Sequence, residues 1–214
     1  MKAFILAAGR GERLRPLTDT TPKPLLPFKG APLIVHHIRR LAEAGFQEVV
    51  INVSYQADKI ISALSSITQI KLTFSYEPTA LESGGGIVQA LPLLGDNPFL
   101  VLSADIYTDY PFQRLMQQPA IPYLAHLVLT AHPDFNADFC LEKGLIKNPV
   151  AGEKAYTYAN IGCYHPQLFA PLKPGTFPLG KFLHSAAEAK QLSGECYQGI
   201  WENITSVKQY TSCA

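Results

Sequence analysis

The sequence predicts a single α/β domain over residues 1–214, with a mostly parallel sheet flanked by helices. Three observations predict it. Through the first half, apolar runs of strand length alternate with amphipathic stretches of helix length. That alternation implies right-handed crossovers between parallel strands. The first run, Ala3 to Ala8, is apolar throughout, as in a strand covered on both faces. No internal repeat, low-complexity tract or shift of composition marks a second domain, and 214 residues can bury a sizeable core.

Each element has its own signal. The opening strand breaks at Gly9 and Gly11. Pro32 can open a helix whose Leu33, Ile34, Ile38, Leu41 and Ala42 share one face, with Gly45 as its stop. A second strand spans 49–53, a short helix carries Ile60, Ile61, Leu64 and Ile67, and a third strand spans 71–76. The glycines 84–86 lead into a helix over 87–91, ended by Pro92. An apolar strand over 99–102 runs through Ser103 and Ala104 to a carboxylate, Asp105. The second half is less regular. It predicts a strand over 123–130, a hairpin of 138–142 and 145–147 turning at Lys143-Gly144, and a strand over 156–164. A helix over 179–191 and a short strand over 195–199 then lead into 201–207.

Composition narrows the function. The chain is 47% hydrophobic and 16% charged with a net charge of +1, which gives no electrostatic reason for nucleic acid or an anionic membrane as partner. Cys140, Cys163, Cys196 and Cys213 show no C-x-x-C spacing, so reduced thiols in a cytoplasmic protein are expected rather than a zinc site or disulfides. The apolar start is too short for a signal-peptide core and is followed at once by Arg10, Arg13 and Arg15. No other run reaches membrane-spanning length. The six histidines lack ligand spacing and read as packed or solvated, and Trp201 reads as packing.

The chemistry concentrates in residues 6–25. Gly9 and Gly11, one residue apart at a strand end, let the backbone turn and bring N–H groups close to an anion. Arg13, Arg15 and Lys23 add cations to the same region. Leu14 occupies the place where both the dinucleotide fingerprint and the G-x-x-x-x-G-K-[ST] loop need glycine, so neither applies. The bare G-x-G is equally compatible with a surface turn. Arg13 has the planar fork that grips phosphate oxygens, and Lys23 is clamped between Pro22 and Pro24, with Pro24 driving it toward an extended backbone. Asp105 sits where ligands of open α/β sheets collect.

The longer pattern Gly9-x-Gly11-x-Arg13-Leu14-x-Pro16-Leu17-Thr18, followed by Pro22-Lys23-Pro24, resembles the nucleotide-binding signature of the sugar-phosphate nucleotidylyltransferases. The resemblance implies a Rossmann-like, glycosyltransferase-A-like fold. Residues 1–110 would then be the nucleotide-binding half and 111–214 the sugar-phosphate-binding half. It implies transfer of a nucleoside monophosphate from a triphosphate to a sugar 1-phosphate, with release of pyrophosphate. The stretch Leu81 to Gly86 is most similar to members that use UTP and an amino-sugar 1-phosphate in cell-wall recycling. A thymidylyl-, cytidylyl- or guanylyltransferase, or a catalytically degenerate nucleotide-binding module, remain alternatives.

Carried over residue by residue, Ala8, Gly9, Gly11, Glu12, Arg13, Lys23 and Ser103 would bind the nucleotide, with Glu82 and Gly85 at the base or ribose. Arg13, Lys23 and Asp105 would be catalytic. Asn160 and Gly162, with Asp138 or Glu142, would line the sugar pocket. Mg²⁺ is the implied cofactor, held by Asp105 and by Asn203, which stands where the family has an aspartate. The family's Asn-Gly-Asp is here Ser103-Ala104-Asp105, and its Gly-Thr-Pro turn is here Thr205-Ser206-Val207. The expected partners are the two small substrates alone, with the chain a monomer or weak homodimer.

Overall fold

The computed structural model of the chain describes residues 1–116 and 123–213, apart from the side chain of Cys213. Strand β1 (Ala3–Leu6) leads through a 3-10 turn, Glu12–Leu14, into the single turn α1 (Leu17–Thr20). A second 3-10 turn, Lys23–Leu25, is followed by a small ladder of β2 (Pro27–Phe28) and β3 (Ala31–Pro32). Lys23 therefore opens a helical turn rather than lying extended. The turn closes through Leu25 N–H to Pro22 C=O (2.8 Å) and Leu26 N–H to Lys23 C=O (3.1 Å).

Helix α2 (Leu33–Glu43) buries Leu33, Ile34, His37, Ile38 and Leu41, the face that the spacing predicts. β4 (Glu48–Val53), α3 (Ala57–Leu64) and β5 (Lys71–Tyr76) follow as expected. Helix α4 (Glu82–Leu94) is longer than predicted at both ends. It starts before the glycines, and Pro92 lies inside its last turn rather than ending it. β6 (Phe99–Ser103), β7 (Ile106–Thr108) and the short α5 (Gln113–Met116) complete the first half.

The second half contains β8 (Ala125–Thr130), β9 (Phe139–Glu142), β10 (Leu145–Lys147), β11 (Ala155–Tyr164), α6 (Leu179–Glu188), β12 (Leu192–Tyr197) and β13 (Trp201–Asn203). Helix α7 (Val207–Cys213) was not predicted. The β9–β10 turn has Lys143 at φ 51° and Gly144 at φ 81°, the double positive φ of a type I′ two-residue turn.

Among the described residues, nine strands form one sheet in the order β5-β4-β1-β6-β11-β8-β12-β10-β9. The expectation of a mostly parallel, Rossmann-like sheet is correct for β5-β4-β1-β6, all parallel. It fails beyond β6. β11 runs antiparallel to β6, β8 and β9, and β10 runs antiparallel to both neighbours; only β8–β12 is parallel. The sheet is mixed, and the β11–β9 pairing closes β11-β8-β12-β10-β9 into a small barrel. The cause is the connections. β9 and β10 are joined by a two-residue turn with no helical crossover and so pair antiparallel, whereas β12, which follows α6, runs parallel to β8.

Both faces of the parallel half are covered. Ala3 and Ile5 join a core with Ile34, Ile38, Leu41 and Ile51. Phe4 points the other way, into a core with Val50, Val101, Ile87 and Leu183. Two-sided burial explains why the first strand shows no polar alternation. Among the described residues, no helix is long and apolar enough to cross a membrane. Cys140, Cys163 and Cys196 are free thiols.

Candidate active site

At the carboxyl ends of β1, β4 and β6 opens a cleft of about 520 Å³. Leu6, Ala7, Asn52 and Ser103 form its floor, where the strands end and backbone groups are released from the ladder. Its rim includes Ala8, Gly9, Gly11, Glu12 and Arg13. The two glycines serve differently. Gly11 has φ 71°, a left-handed conformation that a side chain would strain, and its C=O accepts from Leu14 N–H and Thr18 Oγ1, both at 2.9 Å. Gly9 faces empty space where a Cβ would stand, which leaves room for a ligand against the backbone. Arg13 makes no hydrogen bond or ion pair among the described residues, so its guanidinium is available on the rim. Arg15 instead pairs with Asp19 at 2.7 Å and lies off the cleft.

Across the floor, Lys23 Nζ donates to Asp105 Oδ2 at 2.5 Å. The lysine side chain is only 12% exposed, so a largely desolvated cation is held against the carboxylate. The other carboxylate oxygen, Asp105 Oδ1, is buried without a hydrogen-bond partner, and so is Asn203 Oδ1. Asn203 pairs with Ile106 in the β13–β7 ladder, and Ile204 N–H donates to Asp105 C=O at 2.9 Å. Two unpartnered oxygen acceptors on adjoining chain segments fit a hard divalent cation, which takes oxygen ligands and few carboxylates. Among the described residues, no three His, Cys, Asp or Glu side chains form a ligand cluster, so any ion here would draw its remaining ligands from phosphate and water.

The glycine-rich start of α4 departs from expectation. Gly84 and Gly85 donate their N–H groups to Phe177 C=O at 3.0 and 3.2 Å, so these groups are not free for a ligand. A Cβ at Gly84 would stand 2.4 Å from the Phe177 ring, and one at Gly85 would stand 2.1 Å from Gly175 O. These glycines admit the 175–177 segment, and Gly85 lies off the cleft. Glu82 and Ser83 do line it. Glu82 holds φ 59°, an uncommon conformation for a side chain and one associated with functional sites.

A second cleft, of about 450 Å³, shares Leu6, Ser83 and Ser103 with the first. Asp138, Asn160 and Asn203 line it. Asp138 Oδ2 accepts from Tyr158 N–H at 2.8 Å, while burial holds its carboxyl above the usual carboxylate range despite that bond. Asn160 sits where β11 bulges between Tyr158 and Ile161, with φ 55°, a conformation asparagine tolerates better than most. Trp201 Nε1 donates to Ala159 C=O at 2.9 Å and fixes that bulge, so its indole does pack beneath the site. Two expected sugar-pocket residues are not brought here. Glu142 is exposed and pairs with Lys147, which lowers its pKa. Gly162 is buried in β11, where a Cβ would stand 3.0 Å from His126 O; it is glycine for close packing.

Sequence reasoning missed several residues. Asn52 and Glu77 form a buried network under the first cleft, and Thr205 lines that cleft. His184 lines the second, its Nδ1 2.8 Å from Asn148 Oδ1. The signal for Asn52 was present, since it is the lone polar residue in an otherwise apolar strand end, Val49 to Val53. Nothing in the spacing marks His184. His37 is packed as predicted, with Nε2 donating to Ile106 C=O at 2.7 Å.

Comparisons with known proteins agree with this geometry. The family model described as nucleotidyl transferase matches residues 2–131. The chain is 42% identical to an N-acetylmuramate alpha-1-phosphate uridylyltransferase of Neisseria meningitidis serogroup B, over 97% of this chain and 94% of that protein. It is 43% identical to a mannose-1-phosphate guanyltransferase of Aspergillus oryzae over 55% of this chain, though it spans only 34% of that protein. HddC from Yersinia pseudotuberculosis, solved with GMP-PN, superposes with a TM-score of 0.82 at 18% identity, covering 99% of this chain and 97% of that one; this likeness concerns the fold alone. With a glycine loop, a lysine and a carboxylate meeting at the strand ends, and with the family match covering all three, the chain belongs to the nucleotidyl transferase family.

Proposed function

We propose that the chain transfers a uridylyl group from UTP to N-acetylmuramate 1-phosphate and releases pyrophosphate. The observation that carries this reading is the convergence on one cleft floor of Lys23 and Asp105, 2.5 Å apart, beneath the open loop at Gly9 and next to a second cleft. The Neisseria relative supports the choice of base and sugar through identity along nearly the whole chain.

In this reading a phosphate oxygen of the sugar 1-phosphate attacks the α-phosphorus of UTP in line. One P–O bond forms as the bond to the β-phosphate breaks, and the electron pair leaves with pyrophosphate. No side chain becomes covalently attached, so positioning and charge stabilisation supply the rate. Arg13 and the N–H groups of the 8–11 loop hold the leaving pyrophosphate, where a guanidinium grips two oxygens at once. Lys23 exchanges Asp105 for the α-phosphate oxygens and stabilises the charge that gathers there. The pair thus keeps the cation in place before substrate arrives. Asp105 and Asn203 would hold Mg²⁺, which when bound neutralises phosphate charge and helps to orient the triphosphate. Asn203 offers a neutral oxygen where a carboxylate would add charge, so metal affinity is lower than at a two-carboxylate site. Ser83 and Glu82 face the nucleoside, and Asp138 and Asn160 face the sugar. The free thiols Cys140, Cys163 and Cys196 suit a reducing, cytoplasmic setting.

The test is pyrophosphate release from each of UTP, dTTP, CTP and GTP, paired with N-acetylmuramate, glucose, N-acetylglucosamine and mannose 1-phosphates. Turnover is expected to be fastest for UTP with N-acetylmuramate 1-phosphate. Preference for another triphosphate would replace the base assignment. No turnover alongside tight triphosphate binding would replace catalysis with nucleotide binding.

A further inference from the structure

A fully buried carboxylate underlies the first cleft. Glu77 has 0% of its surface exposed, yet it bonds neither lysine nor arginine. Its Oε1 accepts from Asn52 Nδ2 at 2.8 Å, and its Oε2 accepts from Leu81 N–H at 2.9 Å. Asn52 is itself 2% exposed, and its Oδ1 accepts from Ala7 N–H at 2.6 Å. One chain of hydrogen bonds therefore joins Ala7, at the root of the phosphate loop, to Leu81, which precedes the cleft residues Glu82 and Ser83. Gly86 makes room for it. A Cβ there would stand 2.7 Å from both Asn52 Nδ2 and Glu77 Oε1, which accounts for the third glycine of the run.

We infer that Glu77 and Asn52 are positioning residues that fix the spacing between the phosphate loop and the 81–83 segment, and so set affinity for the triphosphate. The inference rests on the proposed nucleotidyl transfer only in naming UTP as the ligand. Neither oxygen of Glu77 reaches the cleft; it acts through Asn52 and through the Leu81 backbone. A buried network of this kind must be satisfied at every member, because an unpaired donor or acceptor has no water to turn to.

The hydrogen-bond chemistry supplies its own test. Glu77→Gln places an amide where two donors already point, and Asn52→Asp places an acceptor where Glu77 already offers one. Each single change breaks a bond. The reciprocal pair N52D/E77Q restores them all: Ala7 N–H to one oxygen of residue 52, the amide of residue 77 to the other, and Leu81 N–H to the remaining oxygen of residue 77. UTP binding by calorimetry and steady-state KM for each substrate would be measured below the melting temperature of every variant. Each single variant is expected to weaken UTP about tenfold or more, as the loss of one bond to a charged group implies, with KM for the sugar phosphate nearly unchanged. The pair is expected to regain most of that loss. Gly86→Ala should weaken UTP in the same selective way.

Unchanged UTP affinity in the singles would overturn the inference. So would equal weakening of both substrates, or a double variant as weak as the two losses combined. If the singles do not fold, the pair must still fold and bind UTP like the wild type, or the inference fails. Failure of the proposed reaction would show separately, as wild-type protein that binds UTP without releasing pyrophosphate.

Discussion

Gly85→Ala separates the two explanations of the glycine run. Alanine is the better helix former by about 1 kcal/mol, so propensity alone would make this variant more stable. Packing reverses the sign. The new Cβ would stand 2.1 Å from Gly175 O and 3.0 Å from Leu81 Cβ, and the first contact is with backbone, which cannot rotate away. Relieving it pushes the 175–177 segment off the helix start and strains the bonds from Gly84 and Gly85 N–H to Phe177 C=O. Overpacking of this kind costs about 1–3 kcal/mol and each lost bond about 1 kcal/mol, which leaves a net loss of about 2–4 kcal/mol after the propensity gain. For a chain of this size that is a fall in Tm of roughly 5–15 °C. Differential scanning calorimetry reads it, with triphosphate titrated into the folded variant alongside. A Tm equal to or above wild type would refute the packing explanation. A normal Tm with weakened UTP would return Gly85 to the ligand.

The other glycine predicts the opposite pattern. Gly9→Ala meets no atom within 4 Å, so Tm should stay within a degree or two while KM for UTP rises, since the methyl enters ligand space. Lys23→Ala removes the cation proposed for the α-phosphate and should lower kcat by about 10²–10³-fold, with the protein still folded by circular dichroism. Asn203→Asp adds a charge beside an unpartnered oxygen and should lower the magnesium concentration needed for half-maximal rate; an unaltered requirement would place Asn203 away from the metal. His37 is buried, and desolvation depresses its pKa from 6.5 to about 4, against the hydrogen bond to Ile106. A depressed pKa means that the unfolded chain takes up the proton first. This contribution is therefore complete above pH 6.5 and is lost as pH falls toward 4, by about 3 kcal/mol in total. Melting curves of wild type and His37→Gln over that range should converge toward low pH.

Much of the first half was legible because its signals are local. Two-sided burial wrote an unbroken apolar strand at Ala3 to Leu6, and helical spacing wrote the inner face of α2. The lining of the first cleft was legible for the same reason, since Gly9, Gly11, Arg13 and Lys23 lie within one short stretch. The direction of the second-half strands was not legible, because strand direction is not a local property. Residues 139–147 announce a hairpin, but nothing in them says that β11 will pair with both β8 and β9 and close a barrel. Glycine was the most ambiguous residue. Gly85 and Gly162 invite a reading as ligand contacts, and only the positions of Gly175 and His126 reveal them as points of close packing. Glu77 was invisible as a functional candidate, because its role depends on Asn52 and Leu81 meeting it in the interior.

The most direct measurement is a crystal structure with magnesium and a non-hydrolysable UTP analogue. The phosphates are expected between the Gly9–Arg13 loop and Lys23, with the lysine turned from Asp105 to the α-phosphate and the ion on Asp105 Oδ1. A triphosphate bound elsewhere, or an intact Lys23–Asp105 pair with no metal contact to Asp105, would contradict the account.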